Sequence, residues 1–448
     1  MLRVSVFFFA LFWSPGLFED EGPPVDPNTK LVLVAMRHGE RNPGDFLKGD
    51  PNIGKWGQEG AYMLTPLGKK QAFGLGQMLR RRYKNVLSQQ FENDEIKRYS
   101  SSADRCQMTL QSCLAGLFAP IPGTYAEWND KLDWQPISYV IDNPLLRMYA
   151  VSPCPTSDAA WRPISDDNLP ELKAKLEKDK PLIDYVAQQT GWNGSLSKMA
   201  DVADNLIAIN NAGLKFPEWV TNANVPGYET NLAQKLISFK EAHQIMCAEY
   251  APCRDMMGGY WLYNVLGFLK NKRDNEAKKL KMVLYASHTE TTMSICKLLN
   301  MDIKEVTYTA GFLIEYRDVP APAIRIFFQE PTGEPYGRKM ELASLVPPCP
   351  TGWCPLEQFL KLVEDKAFKD WEGTCGIDKC AGSGAAKPAK PKKPARVGFQ
   401  MDCSGEADRA NTKDCQAWKK HGMCNEDDRH GVAVKYIHCR KTCLCDGA

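Results

Sequence analysis

Two short apolar runs lie far apart in the chain, and each is followed closely by a histidine. Leu31–Met36 is wholly apolar and precedes Arg37 and His38, whereas Lys281–Ser287 is mostly apolar and precedes His288. Short runs without polar alternation are typical of strands that are buried on both faces of a parallel sheet. Ligands in open α/β sheets bind beyond the carboxyl ends of the strands. The sequence therefore predicts that both histidines lie at the edge of the sheet where a ligand would bind.

Helical patterns follow both runs. Thr65 and Pro66 supply an N-cap and a first helical residue, and apolar residues then recur at helical spacing. Residues 291–299 form a second helical pattern after the later run. Alternating strands and helices predict an α/β fold with a largely parallel sheet. Residues 155–255 are polar and helix-like, and they predict an inserted helical cap.

Sixteen cysteines in 448 residues are too many for an ordinary cytosolic enzyme, and their even number predicts disulfides. Ten lie between Cys106 and Cys380, and six lie between Cys403 and Cys445. Between the groups, residues 381–398 are rich in Lys, Pro and Ala and predict an extended linker. The segment 399–448 is too short to fold on a hydrophobic core alone, so it requires disulfides.

The N-terminus predicts export. Residues 1–18 read as a signal peptide, with Arg3 before the apolar stretch Val4–Trp13, which is too short to span a bilayer. No later apolar run approaches spanning length, so we expect no membrane anchor in the mature chain and a secreted or lysosomal location. A net charge of +2 argues against nucleic-acid binding. Asn193 begins the one clear N-glycosylation sequon.

The segment around His38 carries the strongest chemical signal. It places Arg37 and Arg41 on either side of a histidine at the end of a buried strand. Clustered guanidinium groups are costly there unless an anion compensates, and phosphate matches their planar fork of donors. The surrounding positive charge should lower the pKa of His38 and keep its lone pair free for nucleophilic attack. The alternative is a purely structural ion-pair cluster.

Arg37–Pro43 resembles the Arg-His-Gly-x-Arg-x-Pro signature of the histidine acid phosphatases, a branch of the phosphoglycerate-mutase-like superfamily. Further segments similar to the lysosomal and prostatic acid phosphatases follow in the family's order: Leu64–Tyr83, Ser101–Arg105, Trp134–Ile137 and Cys349–Phe359. On this basis residues 26–380 form the phosphatase domain. The resemblance implies a central sheet flanked by helices, a helical cap over roughly 155–255, action on phosphate monoesters without metal or cofactor, and a homodimer.

The resemblance also implies roles for single residues. His38 would be the nucleophile that becomes a phosphohistidine. Arg37, Arg41 and Arg105 would bind the phosphate, and His288 would bind it opposite the nucleophile and take part in catalysis. His243 has no motif around it, so we expect a surface or cap-interface residue.

The chain departs from the acid-phosphatase pattern directly after its second histidine. The family places an aspartate there as general acid, whereas this chain has Thr289, whose hydroxyl lacks a useful pKa. Glu290 follows, and His288–Glu290 resembles the His-Ala-Glu arrangement of the multiple inositol-polyphosphate phosphatases, which implies that Glu290 is the proton donor. The alternative is a surface glutamate in the first turn of a helix.

Disulfides are implied by resemblance in both parts of the chain. In the body, the family implies Cys154–Cys375 and Cys349–Cys354. The sequence leaves Cys106, Cys113, Cys247, Cys253, Cys296 and Cys380 open, although Cys247 and Cys253 are close enough to pair locally. In the tail, the cysteine pattern resembles the ShK-toxin (ShKT) domain and implies Cys403–Cys445, Cys415–Cys439 and Cys424–Cys443.

The sequence therefore predicts a secreted acid phosphatase with a C-terminal ShKT module that binds a protein partner. The alternative is a catalytically weak secreted binding protein that acts through this module. The missing aspartate favours the alternative, and the complete set of arginines argues against it.

Overall fold

The structure, a computed structural model, describes residues 22–377 except 53, 223–224, 229, 335 and 350–351, together with 413, 415, 416 and 419. The chain divides into two compact units, Met1–Lys379 and Cys380–Ala448. The predicted signal peptide and the linker lie outside the described residues, and each of the three predicted ShKT disulfides includes at least one residue outside them. In the second unit the described residues are helical, and Cys415 is buried and disulfide-bonded.

A mixed eight-stranded sheet forms the centre of the first unit. The strands in chain order are β1 (Thr29–Arg37), β2 (Ile96–Ser100), β3 (Val140–Ile141), β4 (Met282–Ser287), β5 (Gly311–Arg317), β6 (Ala323–Pro331), β7 (Arg338–Leu342) and β8 (Cys354–Pro355). Their spatial order is β3-β2-β4-β1-β5-β6-β7, with β8 paired to β6. The α/β prediction is confirmed.

Only half of the sheet is parallel, so the prediction of a largely parallel sheet was wrong for its later strands. The pairs among β1, β2, β3 and β4 are parallel. The pairs that involve β5, β6, β7 and β8 are antiparallel. The reason is the length of the connections. Residues 318–322 are long enough to join β5 and β6 as a hairpin but too short for a crossover helix.

Helices cover both faces of the sheet and form the cap. Outside the cap they are α1 (Pro66–Arg82), α2 (Asp104–Leu117), α3 (Asn143–Leu146), α11 (Ala251–Arg273), α12 (Thr289–Leu298), α13 (Leu356–Val363) and α14 (Trp371–Cys375). The cap contains α4 (Pro155–Ser165), α5 (Pro170–Lys178), α6 (Lys180–Thr190), α7 (Leu196–Asn211), α8 (Glu218–Thr221), α9 (Leu232–Ile237) and α10 (Ala242–Glu249). The predicted helical insertion is therefore present.

The middle of β1, Leu31–Met36, is wholly apolar because both of its faces are buried. Leu31 and Leu33 pack with α11, whereas Val32 and Val34 pack with α1 and α2 on the opposite face. This arrangement explains why the sequence shows no polar alternation there.

Disulfides join the cap to its surroundings. Cys154–Cys375 connects the residue before α4 to the end of α14, and Cys349–Cys354 is also present, both as the resemblance implied. Cys247 pairs with Cys253, which links α10 to α11. Cys106, Cys113 and Cys296 are free and buried. His243 lies inside the cap, where its Nε2 is 2.7 Å from a carboxylate oxygen of Asp167.

Among the described residues, the structure contains no helix with the length and apolar character needed to cross a membrane.

The first turn of α1 crosses the loop after β1 at very close range. Thr65 caps the helix by accepting a hydrogen bond from the Gly68 N–H at 3.1 Å, as predicted. A Cβ atom added to Gly68 would lie 2.2 Å from the Glu40 carbonyl oxygen, and one added to Gly39 would lie 2.5 Å from the Gly68 carbonyl oxygen. Glycine at both positions lets the helix support the backbone of the loop directly.

Gly68→Ala should destabilise the protein, because the added methyl group would meet backbone rather than a side chain that can move. We expect a loss of about 1–3 kcal/mol in the free energy of unfolding, which is typical of overpacking. Gly267→Ala in α11 is the matched control, since no atom lies within 4 Å of its added Cβ. Alanine should leave stability unchanged there or raise it by up to about 1 kcal/mol. Equal thermal unfolding midpoints for the two variants would contradict the close contact between α1 and the loop after β1.

Candidate active site

The two histidines that follow the strands leave the sheet side by side. β1 and β4 are neighbours in parallel register, with Arg37 opposite Ser287. The His38 N–H donates to the Ser287 carbonyl oxygen at 2.9 Å. The imidazole rings of His38 and His288 consequently lie with their centroids 5.7 Å apart.

Hydrogen bonding fixes the tautomer of His38. Its Nδ1 lies 2.9 Å from the Gly39 carbonyl oxygen, and because a carbonyl oxygen only accepts, Nδ1 carries the proton. The lone pair is therefore on Nε2. Burial, together with the charges of Arg105 and Arg37, holds the pKa of His38 well below its ordinary value. These effects favour the neutral imidazole over its protonated form.

Three arginines surround this imidazole. Arg37 and Arg41 flank His38 in the chain, and Arg105 comes from the first turn of α2. The guanidinium groups of Arg41 and Arg105 lie 5.7 and 5.8 Å from the centroid of the Tyr62 ring. The Nε atom of each of the three arginines is buried and has no hydrogen-bond partner. Buried donors without partners are costly, so this arrangement indicates a site for an anion.

His288 is also held as a neutral ring. Its Nδ1 is 3.1 Å from Nη2 of Arg105, which can only donate, so its Nε2 carries the proton and donates to the Ser101 hydroxyl at 2.9 Å. Burial and the charge of Arg105 lower its pKa well below the ordinary value. The Cys106 thiol donates to the Ser287 carbonyl oxygen at 3.2 Å, directly behind the ring.

Glu290 lies beside His288 and not at the surface. It is 6% exposed in the first turn of α12, which excludes the surface alternative. Burial raises the pKa values of Tyr149 and Cys106, and the nearby Glu290 carboxylate adds to both changes. The Tyr149 ring is centred 5.7 Å from that of His288. Glu290 forms no hydrogen bond or ion pair within the described part of the chain. The carboxyl group is therefore not committed to an arginine.

Two cap carboxylates belong to the site and were missed by the sequence analysis. Asp204 in α7 accepts from Nη2 of Arg41 at 2.8 Å. Glu241, which precedes α10, forms an ion pair with Arg37 and accepts from the Thr289 hydroxyl at 3.1 Å. No local sequence pattern marks either residue, because each partner lies more than 45 residues away in the chain. The contacts form only when the cap packs against the strand ends.

A third carboxyl group, that of Glu40, belongs to the same loop as His38. It is 3% exposed, interacts with the Thr65 hydroxyl, and lies 3.4 Å from the Asn211 side-chain nitrogen. Burial raises its pKa to about 7, despite the opposing effect of the Asn211 hydrogen bond. Glu40 is therefore predominantly protonated in acidic solution.

The comparisons with known proteins agree on one family and one fold. Residues 44–320 match the histidine phosphatase superfamily (branch 2); this range begins just after Arg41 and includes Arg105, His288 and Glu290. The chain is 27% identical to rat (Rattus norvegicus) lysosomal acid phosphatase over 364 residues, covering 79% of this chain and 82% of the relative. It is 26% identical to bovine (Bos taurus) prostatic acid phosphatase over 360 residues, covering 78% and 88%.

A solved structure supports the fold alone. The Hafnia alvei phytase in complex with tartrate superimposes with a TM-score of 0.57 at 13% identity. The superposition covers 78% of this chain and 99% of the phytase chain.

Glu40 should give stability a measurable pH dependence. Its folded pKa of about 7 exceeds the ordinary 4.5, so the stabilisation present below pH 4.5 is lost as pH rises towards 7. The free energy of unfolding of the wild type minus that of Glu40→Gln should fall by about 3 kcal/mol over this window. Urea titrations at both ends measure it. Glu171→Gln, at an exposed position of the cap, should show no such trend. If the difference in the free energy of unfolding between the wild type and Glu40→Gln did not change with pH, the raised pKa of Glu40 would be refuted.

Proposed function

Because the chain belongs to branch 2 of the histidine phosphatase superfamily, we propose that it hydrolyses phosphate monoesters through a phosphohistidine formed on His38. The family and the acid-phosphatase relatives make it a phosphomonoesterase. One observation carries the assignment of the nucleophile. A neutral imidazole with its lone pair on Nε2 lies among three arginines whose buried Nε atoms have no partner. These features supply both a nucleophile and a binding site for the group it attacks.

In the first step, Nε2 of His38 attacks the phosphorus atom. The new Nε2–P bond replaces the bond between phosphorus and the ester oxygen. Arg37, Arg41 and Arg105 bind the phosphoryl oxygens and stabilise the charge that spreads over them in the transition state. The ring of His288, whose centroid is 5.7 Å from that of His38, binds the phosphoryl group from the opposite side once its Nε2 proton is transferred from the hydrogen bond with Ser101 to a hydrogen bond with a phosphoryl oxygen.

Glu290 protonates the leaving oxygen. An alkoxide leaves slowly near neutral pH, so a positioned acid accelerates this step. Glu290 is buried and forms no hydrogen bond with an arginine among the described residues, so its carboxyl group is free to contact the leaving oxygen. In the second step water attacks the phosphohistidine, its proton passes to the Glu290 carboxylate, and phosphate and neutral His38 are released.

The arginines also make a metal ion unnecessary for this chemistry. Their three positive charges supply the electrostatic stabilisation that a bound cation provides in metal-dependent phosphatases. We therefore expect activity to withstand chelation by EDTA.

The proposal also covers the location of the protein and its partners. A signal peptide over residues 1–18 would deliver the protein to a secreted or lysosomal location, which the acid-phosphatase relatives favour. Asn193 is exposed, as a glycosylation acceptor must be. The edge strand β3 exposes Val140 and Ile141, a surface suited to a homodimer. The tail would act as a ShKT module that binds a protein partner through 399–448.

His38→Ala should abolish hydrolysis of p-nitrophenyl phosphate between pH 4 and 7, because the variant lacks the imidazole on which the phosphoenzyme forms. The wild type should yield an acid-labile phosphoenzyme when it is quenched during turnover, and the variant should yield none. An unchanged far-ultraviolet circular dichroism spectrum controls for folding. Retained turnover in the variant, or complete loss of wild-type activity in EDTA, would overturn the mechanism.

Glu290→Gln tests the proton donor. Hydrolysis of alkyl phosphates should slow by roughly 10²–10⁴-fold, the usual contribution of a general acid. Hydrolysis of p-nitrophenyl phosphate should slow much less, because p-nitrophenolate leaves without protonation. Glu171→Gln, an exposed cap glutamate, is the matched control. If Glu290→Gln had small and equal effects on both substrates, the acid would have to be another group.

A further inference from the structure

Each of two arginines in the anion site already holds a carboxylate from the cap. Arg37 pairs with Glu241, with side chains only 4% and 9% exposed, and Arg41 pairs with Asp204, with side chains 13% and 11% exposed. These carboxylates provide negative charge where a substrate would otherwise provide it. Uncompensated guanidinium groups would be costly at this depth, so the pairs stabilise the unliganded site.

Glu241 connects an arginine of the anion site to the segment that carries His288. Its Oε1 contacts both Arg37 and the hydroxyl of Thr289, the residue that directly follows His288. Its Oε2 forms no hydrogen bond within the described part of the chain. The backbone of Glu241 is in the left-handed region, with φ of 57°, which is uncommon for a residue other than glycine. Strained backbone of this kind is often found at ligand sites.

We propose that Glu241 provides the negative charge of the unliganded site in place of a phosphate dianion, and that Glu241 takes up a proton when the dianion binds. The inference rests on the proposed function, because it takes Arg37 as a ligand of the phosphate. A dianion bound to Arg37 lies next to the Glu241 carboxylate, and like charges in contact repel strongly in a dry site. Uptake of one proton by Glu241 removes that repulsion while the carboxyl group still accepts from Thr289.

The groups around Glu241 favour this uptake of a proton. The charged and titratable groups that face it are Arg37, Arg41, Asp204, Lys240 and Tyr308. Burial raises its pKa above the ordinary value, the charge of Arg37 opposes that change, and the charge of Asp204 adds to it. A bound dianion adds further negative charge and raises the pKa again. The affinity for the dianion should therefore fall as pH rises through the pKa of Glu241 in the complex.

Sulfate is the probe of choice, because it remains a dianion across the pH range of interest, whereas phosphate titrates. Calorimetric titration of the full-length protein in buffers of different ionisation enthalpy gives the number of protons taken up. We expect the wild type to take up close to one more proton per bound sulfate than Glu241→Gln between pH 5 and 7. The variant should also bind sulfate about tenfold more tightly at pH 7, with a flatter pH dependence.

Two comparison variants make the result specific. Asp204→Asn leaves Glu241 in place, so proton uptake should persist in it, and Glu171→Gln in the exposed cap should behave as the wild type. Equal proton uptake in the wild type and Glu241→Gln would overturn the proposal, because the proton would then go to another group such as His38. Weaker sulfate binding by Glu241→Gln would overturn it as well, since Glu241 would then be a support for Arg37.

The same titrations separate this inference from the proposed function. If neither sulfate nor inorganic phosphate binds the wild type, the anion site itself is wrong and the proposed function fails with it. If both bind, His38→Ala is inactive, and proton uptake is unaffected by Glu241→Gln, only the role of Glu241 fails.

Discussion

Mutual repulsion among buried guanidinium groups is the constraint to which the rest of the site responds. Three arginines lie around one imidazole at the edge of the sheet, and their charges oppose protonation of both histidines. Two cap carboxylates balance part of this charge. The same field would destabilise an empty pocket, would favour a dianion in the proposed mechanism, and opposes protonation of His38.

The sheet and the cap contribute opposite charges to this balance. Strand ends and the first turn of α2 provide the cations and the two imidazoles, whereas the inserted helices provide Asp204 and Glu241. In the proposed mechanism the reacting groups lie at the edge of the sheet, whereas the carboxylates that tune anion affinity belong to the insertion. A cap of different sequence could then alter the pH response without moving His38.

Features of the fold and of the site could be predicted where they depend on residues that are close together in the sequence. The apolar runs predicted β1 and β4, Thr65 and Pro66 predicted the start of α1, and the strand ends predicted that His38 and His288 follow buried strands. Glu241 could not be predicted, because its contact with Arg37 spans the whole cap. The antiparallel half of the sheet was also missed, since the hairpin between β5 and β6 depends on a short connection whose significance emerges only in the fold.

The disulfide between Cys154 and Cys375 closes a loop with a sequence separation of 221 residues, and that loop contains the entire cap, His288 and Glu290. A protease that cut any exposed turn within it would leave both fragments covalently attached. The broken chain would keep its halves at high effective concentration, so that packing could hold the site together. In an acidic compartment rich in proteases, a protein cut in this way would therefore remain one covalently joined molecule.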